Sequence, residues 1–208
     1  MLYLRVEAAA SGSKELFLFQ GVLFAVAISV CLLAFGRFGK AQAVYFAVVC
    51  SAAWPVSNLL AFDLASRWYL PLGEARAYEA AYFVGGALGG LLVTGAASLL
   101  MRPSPGPPMV AVVLLIWSIT GAVLGGFLGV VGWRLAPSLG AAMAHTFYQV
   151  GLLPRELGDP TRLLYRGQDF SDYSLYVVWQ TGIAFAVGLI ALCRGAIGQI
   201  KHPAKAAN

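Results

Sequence analysis

Residues 85–95 read GGALGGLLVTG, and residues 120–129 read TGAVLGGFLG. A glycine-rich loop that binds phosphate follows a strand and precedes a helix, whereas both of these segments lie within uninterrupted apolar runs. Their glycines recur every four residues, which places them on one helix face where two backbones can approach closely. We expect Gly89 to face Gly125 across two packed helices. The full set of predicted packing residues is Gly85, Gly86, Gly89, Gly90, Gly121, Gly125 and Gly129.

The composition of the chain indicates that these runs lie in a lipid bilayer. Of the 208 residues, 60% are hydrophobic and 11% are charged, and the mean hydropathy is +0.77. A soluble domain carries about a quarter charged residues. We predict an all-α integral membrane protein, a single domain of residues 1–208 with a bundle of five transmembrane helices. Each predicted span is close to the roughly 20 apolar residues that a bilayer requires and contains no Asp, Glu, Lys or Arg: 17–36, 41–62, 80–101, 109–131 and 174–193.

A sixth apolar segment, residues 135–153, is not predicted to span. It follows the fourth span after only GWR and contains Pro137, His145 and Gln149. So short a connection can hardly turn a spanning helix back through the membrane. We therefore expect a short interfacial helix, or one that dips partly into the bilayer, within a long outer loop of residues 132–173.

The charged residues separate onto two sides of this topology. All nine acidic residues lie in the amino-terminal segment, the loop 63–79 and the loop 132–173, which share one side. Six of the fourteen basic residues lie on the acid-free side, in two short loops and the carboxyl-terminal tail. Because Lys and Arg in short loops are retained in the cytoplasm, we predict a bacterial-type inner membrane protein with its amino terminus outside and its carboxyl terminus cytoplasmic.

Aromatic residues are concentrated near the predicted outer ends of the helices. Trp and Tyr commonly lie at the headgroup level of a bilayer, so we expect a belt of rings at the outer surface. The residues of this predicted belt are Trp68, Tyr69, Tyr78, Tyr82, Trp133, Tyr148, Tyr165, Tyr173, Tyr176 and Trp179.

Three uncharged polar residues lie inside the predicted spans, about 6 to 10 Å from their outer ends at 1.5 Å per residue. These residues are Gln20, Asn58 and Gln180, which we expect at one depth. They either form hydrogen bonds between helices or line a pocket open to the outside. Pro55 lies three residues before Asn58 and should kink the second helix. The spans carry no ionisable carboxylate or base, which argues against transport driven by protons or sodium.

The outer loop between the fourth and fifth spans contains a charged segment. We interpret it as a solvated cap of ion pairs or, alternatively, as a surface that docks a headgroup or a partner protein. Asp159 followed by Pro160 predicts a short helix over residues 160–165. The candidate docking residues are His145, Arg155, Glu156, Asp159, Arg162 and Arg166.

The sequence offers few groups for chemistry, and we predict no catalytic site, no metal site and no cofactor. The three cysteines form no CxxC motif, and no GxSxG motif occurs. The two histidines, His145 and His202, lie on opposite sides of the topology, which excludes a bis-histidine haem within one chain. A single pigment or metal at His145 is the alternative. The basic residues are dispersed among short turns, so nucleic acid is not a predicted partner.

These features favour a non-catalytic subunit or accessory of a larger membrane complex, whose partners are the lipid bilayer and other membrane subunits or copies of itself. The first alternative is a small channel or transporter for a neutral or amphipathic solute at the layer of Gln20, Asn58 and Gln180. The second is a lipid-modifying membrane enzyme that uses His145 with Asp159 or Glu156.

Overall fold

The chain folds as a bundle of α-helices in the computed structural model, which describes residues 14–101, 107–149 and 175–193. The helices are α1 (Lys14–Ala34), α2 (Lys40–Leu72), α3 (Glu74–Leu100), α4 (Pro107–Gln149) and α5 (Leu175–Cys193). The described residues contain no strand. The predicted all-α architecture is therefore confirmed for this part of the chain.

Four helices, α2 to α5, are long and apolar enough to span a membrane, whereas the apolar part of α1 that can be judged, Gly21–Ala34, is shorter. Large apolar side chains on the outside of the bundle, such as Val44, Ile119 and Phe185, are more than half exposed. An apolar exterior of this kind is typical of a surface that contacts lipid or protein. The chain thus has the exterior of a membrane protein, and the fifth span stays a prediction.

Helix α2 continues to Leu72, ten residues past the predicted end of the second span. Asp63 and Arg67 are one helical turn apart and form an ion pair of 2.9 Å on its exposed surface, so these charges lie within the helix. Gly73 then adopts a φ of +77°, a conformation open to glycine because it has no Cβ. The chain reverses there into α3, and we call this end of the bundle the Gly73 end.

Helix α4 differs most from the sequence prediction. It is one helix of 43 residues, so the expected separation of the fourth span from a second helix in the loop 132–173 is wrong for the described part of that loop. Its placement in the membrane interface stays a prediction. Gly132, Ala136 and Gly140 recur every four residues and are all buried, which gives the extension a continuous inward face. Pro137 lacks the N–H of a regular helical hydrogen bond, yet the helix continues through it.

Helix α3 lies at the centre of the bundle, in contact with both α2 and α4. Its small residues allow this, because side chains on neighbouring helices fill the space that a larger residue would occupy. The amino-terminal helix α1 packs on α2, where Trp54 lies against Gly21. A Cβ added at Gly21 would lie 2.6 Å from Cδ1 of Trp54. Glycines therefore permit close helix contacts both between α1 and α2 and around α3.

Candidate functional site

A small cavity lies where α2, α3 and α5 meet, within two helical turns of Glu79 on α3. Its volume is about 30 Å³. Helix α2 contributes polar groups, α3 and α4 contribute glycines, and aromatic rings close the remaining walls. The lining residues are Trp54, Ser57, Asn58, Ala61, Tyr82, Gly85, Gly86, Gly129, Leu175, Tyr176 and Trp179.

The polar wall of the cavity follows Pro55 on α2. Ser57 Oγ donates a hydrogen bond to the carbonyl oxygen of Ala53 at 2.6 Å. Asn58 Nδ2 donates to the carbonyl oxygen of Trp54 at 2.9 Å. Side chains that bond back to carbonyls four residues earlier are associated with helix bending, as is a proline inside a helix. Both polar residues are buried, with exposed fractions of 5% for Ser57 and 7% for Asn58.

Aromatic rings from α1, α2 and α5 pack together beside this cavity. Trp54 lies edge-on to Tyr176, with ring centroids 4.9 Å apart, and its centroid lies 5.4 Å from that of Trp179. Phe24 of α1 contacts Trp179 at 6.4 Å. Such contacts add to the stability that ring burial provides. The rings are too close to one another to leave a slot for a flat ligand between them.

A second group of rings continues towards the Gly73 end. Tyr78, Tyr82 and Trp133 are stacked, with centroid distances of 4.8 Å from Tyr78 to Trp133 and 5.2 Å from Tyr82 to Trp133. Five members of the predicted belt, including Tyr176 and Trp179, therefore pack on other rings between helices. The sequence indicates that these rings lie near helix ends, but it does not determine which way each ring points.

Trp179 occupies the space that two glycines of α3 leave open. Its Nε1 lies 3.4 Å from the carbonyl oxygen of Gly86 in a long hydrogen bond. A Cβ added at Gly89 would lie 2.7 Å from Cζ2 of Trp179. This contact was not predicted from the sequence, because the glycine spacing alone does not indicate that a bulky residue of α5 fills the space beside Gly89.

The three residues of the predicted polar layer do not all meet at the cavity. Asn58 lines it, whereas Gln180 does not. Gln180 Nε2 is buried and has no hydrogen-bond partner within the part of the chain that the structure describes. The side chain of Gln20 lies outside the described residues. A shared site for all three residues therefore stays a prediction.

The glycines of α3 and α4 meet in a different register from the expected one. A Cβ added at Gly90 would lie 2.8 Å from the carbonyl carbon of Gly121 and 3.1 Å from Cα of Gly125. Gly125 also contacts Gly86. The expected pairing of Gly125 with Gly89 is wrong, because Gly89 points towards Trp179 and α2.

Two further contacts belong to these glycine faces. Gly85 faces α2, where an added Cβ would lie 2.6 Å from the carbonyl oxygen of Ser57. Gly129 of α4 contacts the carbonyl group of Tyr82. Thr94 Oγ1 lies 2.7 Å from the carbonyl oxygen of Trp117 and reinforces the contact between α3 and α4. Adjacent glycines on α3 therefore serve different neighbouring helices.

An ion pair joins α3 and α4 at the Gly73 end. Arg134 Nε lies 2.9 Å from Glu79 Oε1, and Arg134 Nη2 lies 3.2 Å from Glu79 Oε2. This two-pronged geometry fixes the orientation of both side chains. The pair was not predicted from sequence, because the two residues are 55 positions apart and Arg134 was assigned to a loop.

The predicted docking residues are only partly visible. His145 lies on the exposed surface of α4, with its Nε2 2.8 Å from Nε2 of Gln149. Within the described residues, no group of three or more His, Cys, Asp or Glu side chains is placed to hold a metal ion. The predicted helix 160–165 and the other docking residues lie outside the described part of the chain: Arg155, Glu156, Asp159, Arg162 and Arg166.

No protein family model, no curated protein and no solved structure matches this chain. Its function is therefore inferred from the arrangement of its own residues.

Proposed function

We propose that the chain is a non-catalytic subunit or accessory of a larger membrane complex, and that it contacts its partner at the Gly73 end. At this end, helical segments project beyond the ion pairs and expose apolar side chains, and this observation is the main support for the proposal. The ion pair of Glu79 and Arg134 marks a depth away from the bilayer centre, because charged groups are strongly disfavoured there.

Helix α4 supplies the longer projection. Residues 135–149 follow Arg134, contain no charged residue and extend about 22 Å at 1.5 Å per residue. Leu135 and Leu139 lie one turn apart on this projection and are 44% and 37% exposed. An uncharged helix with exposed leucines is poorly suited to water and is typical of a surface that another protein covers.

Helix α2 supplies a second projection at the same end. Beyond the ion pair of Asp63 and Arg67, its last turns expose Leu70 at 90% and Leu72 at 45%. Two separate apolar elements at one end of the bundle favour a docking role for that end. The charged residues 155–172, which follow α4 in the sequence, remain candidates for the polar rim of such a contact.

We further propose that the Gly73 end faces the outside of a bacterial-type inner membrane. The support is the separation of charge along the sequence, in which the acid-free connections carry a higher density of Lys and Arg and are expected in the cytoplasm. The projections of α2 and α4 are then accessible to an extracytoplasmic domain of a partner subunit.

The alternatives have less support. A transporter needs room for its solute, whereas the cavity beside Asn58 has a volume of about 30 Å³, far below the several hundred Å³ typical of small-molecule sites. A lipid-modifying enzyme would need a partner for His145, and the described neighbour that it contacts is the amide of Gln149. The small cavity and the surroundings of His145 therefore support a transporter or an enzyme less well than a subunit of a complex.

Native mass spectrometry after extraction in mild detergent tests the proposal. We expect a mass above that of one 22.0-kDa chain, and we expect Leu135→Ser with Leu139→Ser to release the partner. The matched control is Val123→Ala with Phe127→Ala, which changes two residues of α4 that are about 60% exposed and lie within the predicted span. A single chain under all mild conditions would contradict the subunit role. Release by the control pair instead would place the contact inside the membrane.

A further inference from the structure

The cavity between α2, α3 and α5 has a size that suits a very small occupant. A buried water needs roughly 10 to 15 Å³ of space, and this cavity offers about 30 Å³. The ring of Trp54 contacts those of Tyr176 and Trp179, so the packed rings leave no room for a larger molecule. Volume alone limits the occupant to one or two molecules as small as water.

Asn58 lines one wall of the cavity with a polar side chain that can form more than one hydrogen bond. The side chain is 93% buried, since its exposed fraction is 7%. Its bond to the Trp54 carbonyl oxygen is the one hydrogen bond that its amide makes with described residues. An amide side chain has two N–H donors and an oxygen that accepts twice. One N–H and the oxygen therefore retain the capacity for a further hydrogen bond beside the cavity that Asn58 lines.

Ser57 supplies a second polar group on the same wall. Its hydroxyl proton is engaged with the Ala53 carbonyl oxygen at 2.6 Å, which leaves the lone pairs of Oγ as acceptors. Buried waters typically make two to four hydrogen bonds to such groups. Asn58 and Ser57 together can provide that number. Three glycines, Gly85, Gly86 and Gly129, lie in the remaining wall and keep the space open.

We propose that this cavity is a hydration site, in which a water molecule is held by the side chains of Asn58 and Ser57. The water satisfies the side-chain amide of Asn58, which lines the space between α2, α3 and α5. The site is independent of the docking role of the Gly73 end, so either proposal can fail without the other.

Asparagine-selective labelling tests the hydration site, because the chain contains only two asparagines, Asn58 and Asn208. In ¹⁵N-asparagine protein in lipid nanodiscs, Asn208→Ser leaves the side-chain amide pair of Asn58 alone, and Asn58→Leu removes it. We expect a cross-peak between the Asn58 amide protons and the water resonance, with the sign of a long-lived bound water. Cross-peaks to protein protons alone would overturn the proposal.

A second measurement distinguishes a wet cavity from a dry one. Empty apolar cavities bind xenon, whereas polar cavities hold water. In crystals of the unmodified chain under xenon pressure, we expect a water peak within about 2.7 to 3.2 Å of the Asn58 amide and no xenon in the cavity. Xenon at this position, or no peak beside Asn58, would refute the hydration site even if the labelling spectra were poorly resolved.

Discussion

At the residue scale, glycine determines which helices touch and where. Gly86 and Gly90 bring the backbone of α3 onto α4, and Gly85 and Gly89 on the adjacent face admit α2 and the ring of Trp179. Each of these positions lacks room for a single carbon atom. At Gly85, Gly86 and Gly90 the nearest atom is a backbone carbonyl oxygen of the neighbouring helix, which cannot move aside as a flexible side chain can.

This contact predicts a strong effect of one methyl group at Gly125. A Cβ there would meet the Gly86 carbonyl oxygen and lie 3.0 Å from Cα of Gly90. Overpacking of this kind typically costs about 1–3 kcal/mol, so Gly125→Ala should lower the thermal unfolding midpoint in detergent. The control is Gly188→Ala on α5, where nothing lies within 4 Å and alanine is the better helix former. Equal midpoints for the two variants would show that α3 and α4 are not in backbone contact at Gly125.

The sequence predicted that these glycines lie at a helix contact, but it did not predict which helix each of them contacts. Apolar runs predicted the helices, and the four-residue spacing of glycines predicted a close helix contact. Because Gly85 and Gly86 are neighbours, α3 presents two glycine faces about 100° apart, and spacing cannot assign either face to a partner. Trp179 was likewise recognised near a helix end, but its inward orientation depends on the groove at Gly89.

At the scale of helices, the main finding is the continuity of α4. The fourth span was predicted to end at residue 131, because each span was taken as a charge-free run of about 20 residues and Arg134 follows soon after. The structure instead continues the helix, with Gly132 against Leu175 of α5 and Ala136 buried. These contacts with other helices support the extension of α4, and they cannot be inferred from residues 132–134 (GWR) alone.

Continuity of α4 predicts a specific distance between two spin labels. Cysteines replacing Ile119 and Leu139, in a background without the three native cysteines, are twenty residues apart and partly exposed. A single helix places their backbones about 30 Å apart at 1.5 Å per residue, and we expect one narrow distance distribution. Labels at Met109 and Phe127, both within the predicted span, provide the reference for an unbroken segment. A much shorter or broadly distributed distance for the labels at 119 and 139 alone would show that α4 is interrupted after Arg134.

At the scale of the whole molecule, the bundle has two different ends. The Gly73 end contains ion pairs, stacked rings and the projections of α2 and α4, and it lies on the acidic side of the chain. At the opposite end, α1 is joined to α2 through Gly36, which has a φ of +66°, and the exposed Phe35. This asymmetry makes the orientation of the protein in the membrane directly measurable.

Orientation predicts which end reacts with an impermeant thiol reagent in intact cells. Without native cysteines, Leu70→Cys at the Gly73 end should be labelled from outside, because Leu70 is 90% exposed. Phe35→Cys, at a residue 78% exposed on the opposite end, should react only after the membrane is permeabilised. A reporter fused after Asn208 should be cytoplasmic. The reverse labelling pattern would invert the proposed topology and place the docking surface inside the cell.

The unbroken length of α4 also has a mechanical consequence. A stiff rod that pivots at Arg134 converts a tilt of about 10° into a displacement of about 4 Å at the tip of its 22-Å projection. The same rotation shears the contact of Gly125 with α3, where the nearest atoms belong to the backbone of Gly86 and Gly90. Because α4 is one continuous helix from Pro107 to Gln149, a force that a partner applies at Gln149 acts on the same helix that contacts α3 in the centre of the bundle.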